Sequence, residues 1–335
     1  MASGHDAEES THAIEREIAL LEQRLADAKL RLGQTQSSSL AAASSSSSTS
    51  TSTSTPLLKP SVSSLVHSPT HYLLLLSDSQ LPIGSFAFSS GLESYLAHCR
   101  RSSSTSSRSS GGGGTFTSFL PLSLSSFAAT TLPFVLAAHR DPSRLVTLDD
   151  QLDAAVVCTV GRRASVAQGR ALLSIWERSF RDTLPAAADA DVPVLRAFSA
   201  LLKEQAPSSQ STGGDDVGVA AAAAAAAAAV PPAVSAHLAP LFGVICAVVG
   251  LTLRQTAYVY MVGHVKALVS AAVRASMFGP YQAQKVLAGE HVQHMIAAVI
   301  EWEWDTPVEL AGQTVPVMDL WIGRHEVLYS RIFNS

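Results

Sequence analysis

Arg254–Met277, RQTAYVYMVGHVKALVSAAVRASM, decides the fold class. Tyr258, Met261, Val265, Leu268 and Ala272 follow one another at steps of three or four, which places them on one apolar face of a helix. Working outward, Gly279-Pro280 ends this helix, and proline at a first turn starts another near Tyr281, predicted to run to about Trp304. A last short helix fits Asp319 to Tyr329. Upstream, Thr147-Leu148-Asp149-Asp150 has the form of a capping box with Asp in place of Glu. The helix it opens is predicted to pass through Cys158, Ala164 and Ala171 to about Phe180. Gly and Pro punctuate segments mostly longer than ten residues, and no period-two alternation marks a hairpin. The expectation is an all-α single helical-bundle domain.

Composition defines what surrounds this bundle. Hydrophobic residues make up 47% of the 335 and charged residues 15%, enough apolar material for a core although alanine inflates the share. The formal net charge is −4 with no dense Lys/Arg run, so nucleic acid is not an expected partner. Cys99, Cys158 and Cys246 are widely spaced and form no CxxC pair, which fits a reducing compartment. Met1 to Glu9 is polar and acidic, unlike a secretory leader, and the chain is expected to be cytoplasmic. Leu238 to Leu253 is almost wholly apolar, but its uncharged stretch of about 16 residues falls short of the roughly 20 a span requires. It reads as a buried core helix, with no membrane expected; a membrane-associated helical interaction protein is the alternative this stretch keeps open.

Low-complexity segments lie outside the regular core. Residues 1–70 read as an N-terminal extension. Within it Ile14, Ile18, Leu21, Leu25, Ala28 and Leu32 keep heptad spacing over about residues 11–33, and a Ser/Thr-rich tether follows from Gln34 to about Ser64. Residues 71–335 form the helical domain, with insertions near 101–114 (Ser/Gly-rich) and 207–232, the latter carrying the alanine run Ala220–Ala229.

The motifs of common chemistries are missing. There is no GxxxxGK[ST], no GxGxxG after a strand, no full GxSxG around Ser85, and His325-Glu326 lacks the second histidine of HExxH. His291 and His294, three apart beside Glu290, are weak candidate metal ligands; surface helices often carry such pairs, and two histidines alone give a metal-dependent enzyme little support. His98-Cys99 is similarly ambiguous between packing and ligation. Glu301 and Glu303 straddle Trp302 and point to different faces, so they form no acid/base pair.

His71 to Gly91, HYLLLLSDSQLPIGSFAFSSG, is the most distinctive segment. An apolar run enters the polar break Ser77-Asp78-Ser79-Gln80. Leu81-Pro82-Ile83-Gly84 turns the chain, and Ser89-Ser90-Gly91-Leu92-Glu93 leads into a helix. On physical grounds this is a helix-turn-helix corner with Phe86 and Phe88 as aromatic anchors.

Leu76 to Phe86 followed by Ser89 to Glu93 closely resembles the opening signature of UreF proteins, roughly L-x-D-S-x-L-P-x-G-[GS]-[FY]-[AS]-x-S-x-G-L-E. Gly161 to Ser165 with Gln168-Gly169-Arg170, Val265 to Gln284, and Arg324 to Ser335 resemble further blocks of that family in the same order. The resemblance covers about residues 71–335 without the insertions. Ser85 replaces a frequent second glycine, and the Ala and Ser/Gly insertions are foreign to compact bacterial members.

The resemblance implies a urease accessory protein that is not an enzyme. Family members are all-α and dimerise, bind UreD (also called UreH), and recruit the GTPase UreG in the complex that delivers nickel to apo-urease, regulating that GTPase. Nickel is then handled by the complex, and no cofactor is expected to be tightly bound to this chain. By the same resemblance the C-terminal Arg324, Tyr329, Arg331 and Phe333 are partner-binding candidates, with Arg331 foremost for GTPase recruitment. Arg254 and Tyr258 fall where the family's dimer face lies. Asp78, Pro82, Gly84, Phe86, Ser89, Gly91 and Glu93 are the structural signature, a corner that also fits a role in partner contact.

Overall fold

A computed structural model describes residues 68–102, 112–184, 192–204 and 234–334. The heptad helix, the tether and most of both predicted insertions lie outside the described residues. Those described belong to the unit Ser61–Ser335 and fold as helices and turns with no strand among them. In chain order the helices are α1 Pro69–Ser77, α2 Leu92–Ser102, α3 Gly112–Arg140, α4 Leu145–Ala155, α5 Thr159–Ile175, α6 Val192–Glu204, α7 Leu238–Val248, α8 Leu253–Arg274, α9 Pro280–Ala288, α10 Glu290–Glu303 and α11 Pro316–Arg324.

The core is built on α7. Its LAPLFGVICAV sequence is apolar all round, as a helix enclosed on every side must be. Ala239 to Cys246 and Val248 are all buried, so the Leu238–Leu253 stretch supplies a core helix over Leu238–Val248, then turns and opens the next helix at Leu253. It packs chiefly against α3 and α5, while α3 also meets α8 and α10. Gly243 makes the α3 contact possible: a Cβ there would lie 2.3 Å from the Val135 carbonyl oxygen. Gly169 does the same on α5, where a Cβ would meet the Ala236 oxygen at 2.1 Å. By length and composition two helical stretches could cross a membrane, Thr115–Arg140 and Leu253–Arg274, and in this fold 67% and 61% of their apolar windows are buried.

Several helix boundaries differ from the sequence expectation. The helix predicted from Thr147 to Phe180 is two helices. Thr147 lies inside α4, the chain is extended at Val156 and Cys158, and α5 ends in a π-helical turn at Trp176–Phe180. Asp141 supplies the cap instead, its carboxylate accepting from the Ser143 amide at 3.1 Å before a 3₁₀ turn that leads into α4. Asp149 is fully buried and accepts from the amides of Ser235, Ala236 and His237 at 2.6–3.0 Å. It satisfies the buried amides of the segment that leads into α7, and this long-range duty replaces the capping role. Likewise the helix expected from Tyr281 to Trp304 breaks at Gly289, whose ψ of 139° is extended. The last helix spans Pro316–Arg324 and passes into a 3₁₀ turn at His325–Val327. Thr252 and Gln255 form a reciprocal capping box at the start of α8. On α8, Met261, Val265, Leu268 and Ala272 are buried as expected, but Tyr258 is 41% exposed and lies at the edge of that face. The face extends instead through Ala257, Tyr260 and His264.

Candidate interaction site

The signature folds as a corner. Asp78 Oδ1 accepts from the Gln80 amide at 2.9 Å and the Asp78 carbonyl from the Leu81 amide, closing an Asx turn. Lys266 on α8 donates to the Ser77 carbonyl at 2.6 Å and holds the end of α1. Pro82 is exposed, and Gly84 adopts φ +75°, a left-handed conformation that turns the chain into the 3₁₀ segment Ser85–Ala87. Ser89 is buried, its hydroxyl accepting from the Glu93 amide at 3.4 Å at the start of α2. Gly91 has φ +85°, and a Cβ there would come within 3.2 Å of Ile322 and Trp321, so α11 seats directly on it. Phe86 departs from the anchor role expected of it: it is 58% exposed and lies under the Arg274 guanidinium.

Glu93 joins this corner to the C-terminal segment. Its Oε2 pairs with His325 Nε2 at 2.8 Å, Oε1 accepts from the Ile332 amide at 2.7 Å, and Oε2 accepts from the Phe333 amide at 3.2 Å. The Asn334 amide donates to the Ala87 carbonyl at 2.8 Å. Arg274, at the end of α8, donates to the Phe86 carbonyl and lies 4.2 Å from the centre of the Phe333 ring. One carboxylate thus gathers a histidine and two backbone amides contributed by residues 325–333.

This clasp divides the four tail candidates. Phe333 is turned inward and 5% exposed, an anchor within its own chain. Tyr329 is fully exposed, and Arg324 and Arg331 are exposed as well. Val327 and Ile332 add apolar surface at 77% and 63% exposure. Glu326 pairs with Arg163 of α5, whose hydrogen bond and charge hold its carboxyl below the usual carboxylate range; Arg331 and His325 add to the effect. The Ile322 and Gly323 end of α11 packs over Gly161 and Cys158, which brings the tail beside the start of α5.

The remaining candidates stand elsewhere. Arg254 pairs with Glu301 at 2.5 Å and lies 4.7 Å from the centre of the Trp304 ring, on the exposed surface where Tyr258 also emerges. Glu303 is buried while Glu301 is exposed, so the two carboxylates do occupy different faces. His291 and His294 are exposed on α10, and no group of three or more His, Cys, Asp or Glu fit to hold a metal comes together among the described residues. His98 hydrogen-bonds the Ser94 carbonyl at 2.6 Å, and the Cys99 side chain is outside the described residues.

His325, Arg274 and Ala87 were missed as parts of the site. His325 is legible in sequence as part of the C-terminal block and as half of an HExxH, neither of which points to Glu93, and a backbone carbonyl leaves no mark in sequence. Glu93 paired with a C-terminal histidine could have been suspected, since a buried carboxylate needs a partner.

The clasp defines an all-α protein organised around a tail pinned to an N-terminal corner. The family described as UreF matches residues 113–291. A Schizosaccharomyces pombe protein named "Uncharacterized urease accessory protein UreF-like" is 32% identical over 79% of this chain and 97% of its own length. "Urease accessory protein F" of rice, Oryza sativa, is 30% identical over 77% and 82%, and "Urease accessory protein 6" of Cryptococcus neoformans 27% over 83% and 99%. The chain belongs to the UreF family. These relatives are named as accessory proteins, none as an enzyme.

Proposed function

We propose that this protein is a urease accessory protein of the cytoplasm. In this reading it is a non-catalytic scaffold that bridges UreD/UreH and the GTPase UreG, regulates that GTPase, and so assists delivery of nickel to apo-urease. The observation that carries the reading is the Glu93 clasp. It fixes residues 325–334 against the family signature and leaves Tyr329 and Arg331 displayed together. An exposed arginine with five fixed donors beside an exposed tyrosine is a composition that protein interfaces favour. Nickel is cargo of the assembled complex in this scheme. The homodimer the family resemblance implies would use the surface around Arg254 and Tyr258.

The test is urease activity in cells lacking the gene, with and without added nickel. Lost activity at normal levels of apo-urease is the expected result; normal activity would sink the proposal. Arg331→Ala should abolish co-purification of the GTPase while leaving the helical spectrum unchanged, and retained co-purification would remove Arg331 from this role.

A further inference from the structure

Beside the tail, one face of α5 forms an open groove of about 430 Å³ lined by Val166, Ala167, Arg162, Arg163 and Arg170. Positions 162, 166 and 170 are spaced by four, so they share a helix face, and 163 and 167 run beside them. The chain carries a net charge of −4, yet this face gathers three guanidiniums.

Two of these already hold carboxylates of the chain itself. Arg162 grips Asp153 through Nε at 2.7 Å and through Nη2, a two-pronged pairing that also secures His237 on the same carboxylate. That pair is part of the architecture. Arg163 and Glu326 differ: both side chains are more exposed, at 62% and 43%, than the Arg162–Asp153 pair at 42% and 20%, so an outside carboxylate can exchange with Glu326. Arg170 is exposed, donates from Nε to the Ser235 carbonyl at 3.3 Å, and pairs with no carboxylate among the described residues.

We propose that the α5 groove docks an acidic segment of a protein partner, with Arg163 and Arg170 each taking a carboxylate and Glu326 occupying the Arg163 position until the partner arrives. The two arginines are seven positions apart, roughly 10 Å along the helix, a span that two Glu side chains within six residues of an extended acidic segment can bridge. Continuity with the tail supports the assignment: Glu326, which pairs with Arg163 of the groove, stands in the 3₁₀ turn that leads to Tyr329 and Arg331. The inference rests on the docking reading only for the partner's identity, since the groove can be tested without any urease component.

The probe is a fluorescein-labelled hexaglutamate peptide, titrated with the full chain and followed by fluorescence anisotropy at low and at about 0.15 M salt. Saturable binding that weakens with salt is expected. Arg163→Glu with Arg170→Glu should weaken it about tenfold or more. Glu326→Gln should strengthen it by roughly twofold to fivefold, because it frees Arg163 from an exposed pair. Lys203→Glu, on α6, should leave it unchanged, and circular dichroism will verify that each variant keeps its helices. Binding indifferent to the arginine reversals, or weakened by Glu326→Gln, overturns the proposal. So does equal binding of hexalysine. Displacement by inorganic phosphate at concentrations matching the peptide would make the groove a phosphate site and overturn the carboxylate assignment. Failure of these titrations would leave the urease phenotype untouched, so the two readings fall separately.

Discussion

At the scale of single residues, Glu93 carries the most consequence. Glu93→Ala leaves His325 and the amides of Ile332 and Phe333 without their acceptor; His325 Nδ1 is itself buried without a partner. The expected cost is about 2–3 kcal/mol in urea denaturation, with faster hydrogen exchange at the Ile332 and Phe333 amides. Protection unchanged in the variant would show that the tail is held by Phe333 packing instead. His264 makes a second prediction. Stacked on Phe127 at 3.9 Å and hydrogen-bonded to Ser123, it is buried so completely that its pKa is pushed down to about 3. The imidazole is therefore neutral in the folded state, whereas the unfolded chain takes up a proton below about 6.5. Stability is fully present above that pH and declines as pH falls from 6.5 toward 3. His264→Gln, which can still hydrogen-bond Ser123, should flatten this slope in denaturation curves taken at successive pH values; an unchanged slope would assign it to other groups, such as the half-buried His139. Of these two residues, Glu93 was legible as part of a motif. The burial of His264 was not, because a lone histidine on an apolar helix shows nothing of what packs over it.

At the scale of elements, helix existence was easier to read than helix ends. The apolar periodicity of α8 and the all-apolar α7 follow from side chains within each segment. The breaks at Val156–Cys158 and Gly289 do not: Val156 and Val157 are ordinary residues in a run that continues helically on both sides. Tertiary contacts decide there: Asp149 and Asp153 hold the 235–237 segment from one side of the break, Ser165 holds His237 from the other, and Arg162 reaches back across the break to Asp153. The long α3 carries Pro121 and Pro133 inside it, where proline locally reads as a stop, so its length is not legible in the sequence. Close packing between elements yields a paired prediction. Gly243→Ala drives a methyl group into the Val135 carbonyl and should cost about 3 kcal/mol or more. Gly263→Ala, on α8 with nothing within 4 Å of the new Cβ, should be neutral or stabilising by up to about 1 kcal/mol. Thermal unfolding of the two variants side by side measures the difference; equal midpoints would mean that α3 and α7 do not approach this closely.

At the scale of the whole molecule, the proposed dimer should be lost from Arg254→Glu combined with Tyr258→Ala. Light scattering should then report the mass of a single 35.1 kDa chain, and a persistent dimer would place the contact elsewhere. The organisation of the chain also bears on how it is made. Ile332 and Glu93 are 239 positions apart, and Asn334 meets Ala87 across a similar distance. Helices α3, α7 and α8, whose mutual packing builds the core, are all complete once residue 274 has been made. The clasp cannot close until residue 334 has left the exit tunnel. A nascent chain stalled before that point would possess the bundle without the clasp, and Tyr329 and Arg331 would not yet stand in their folded setting.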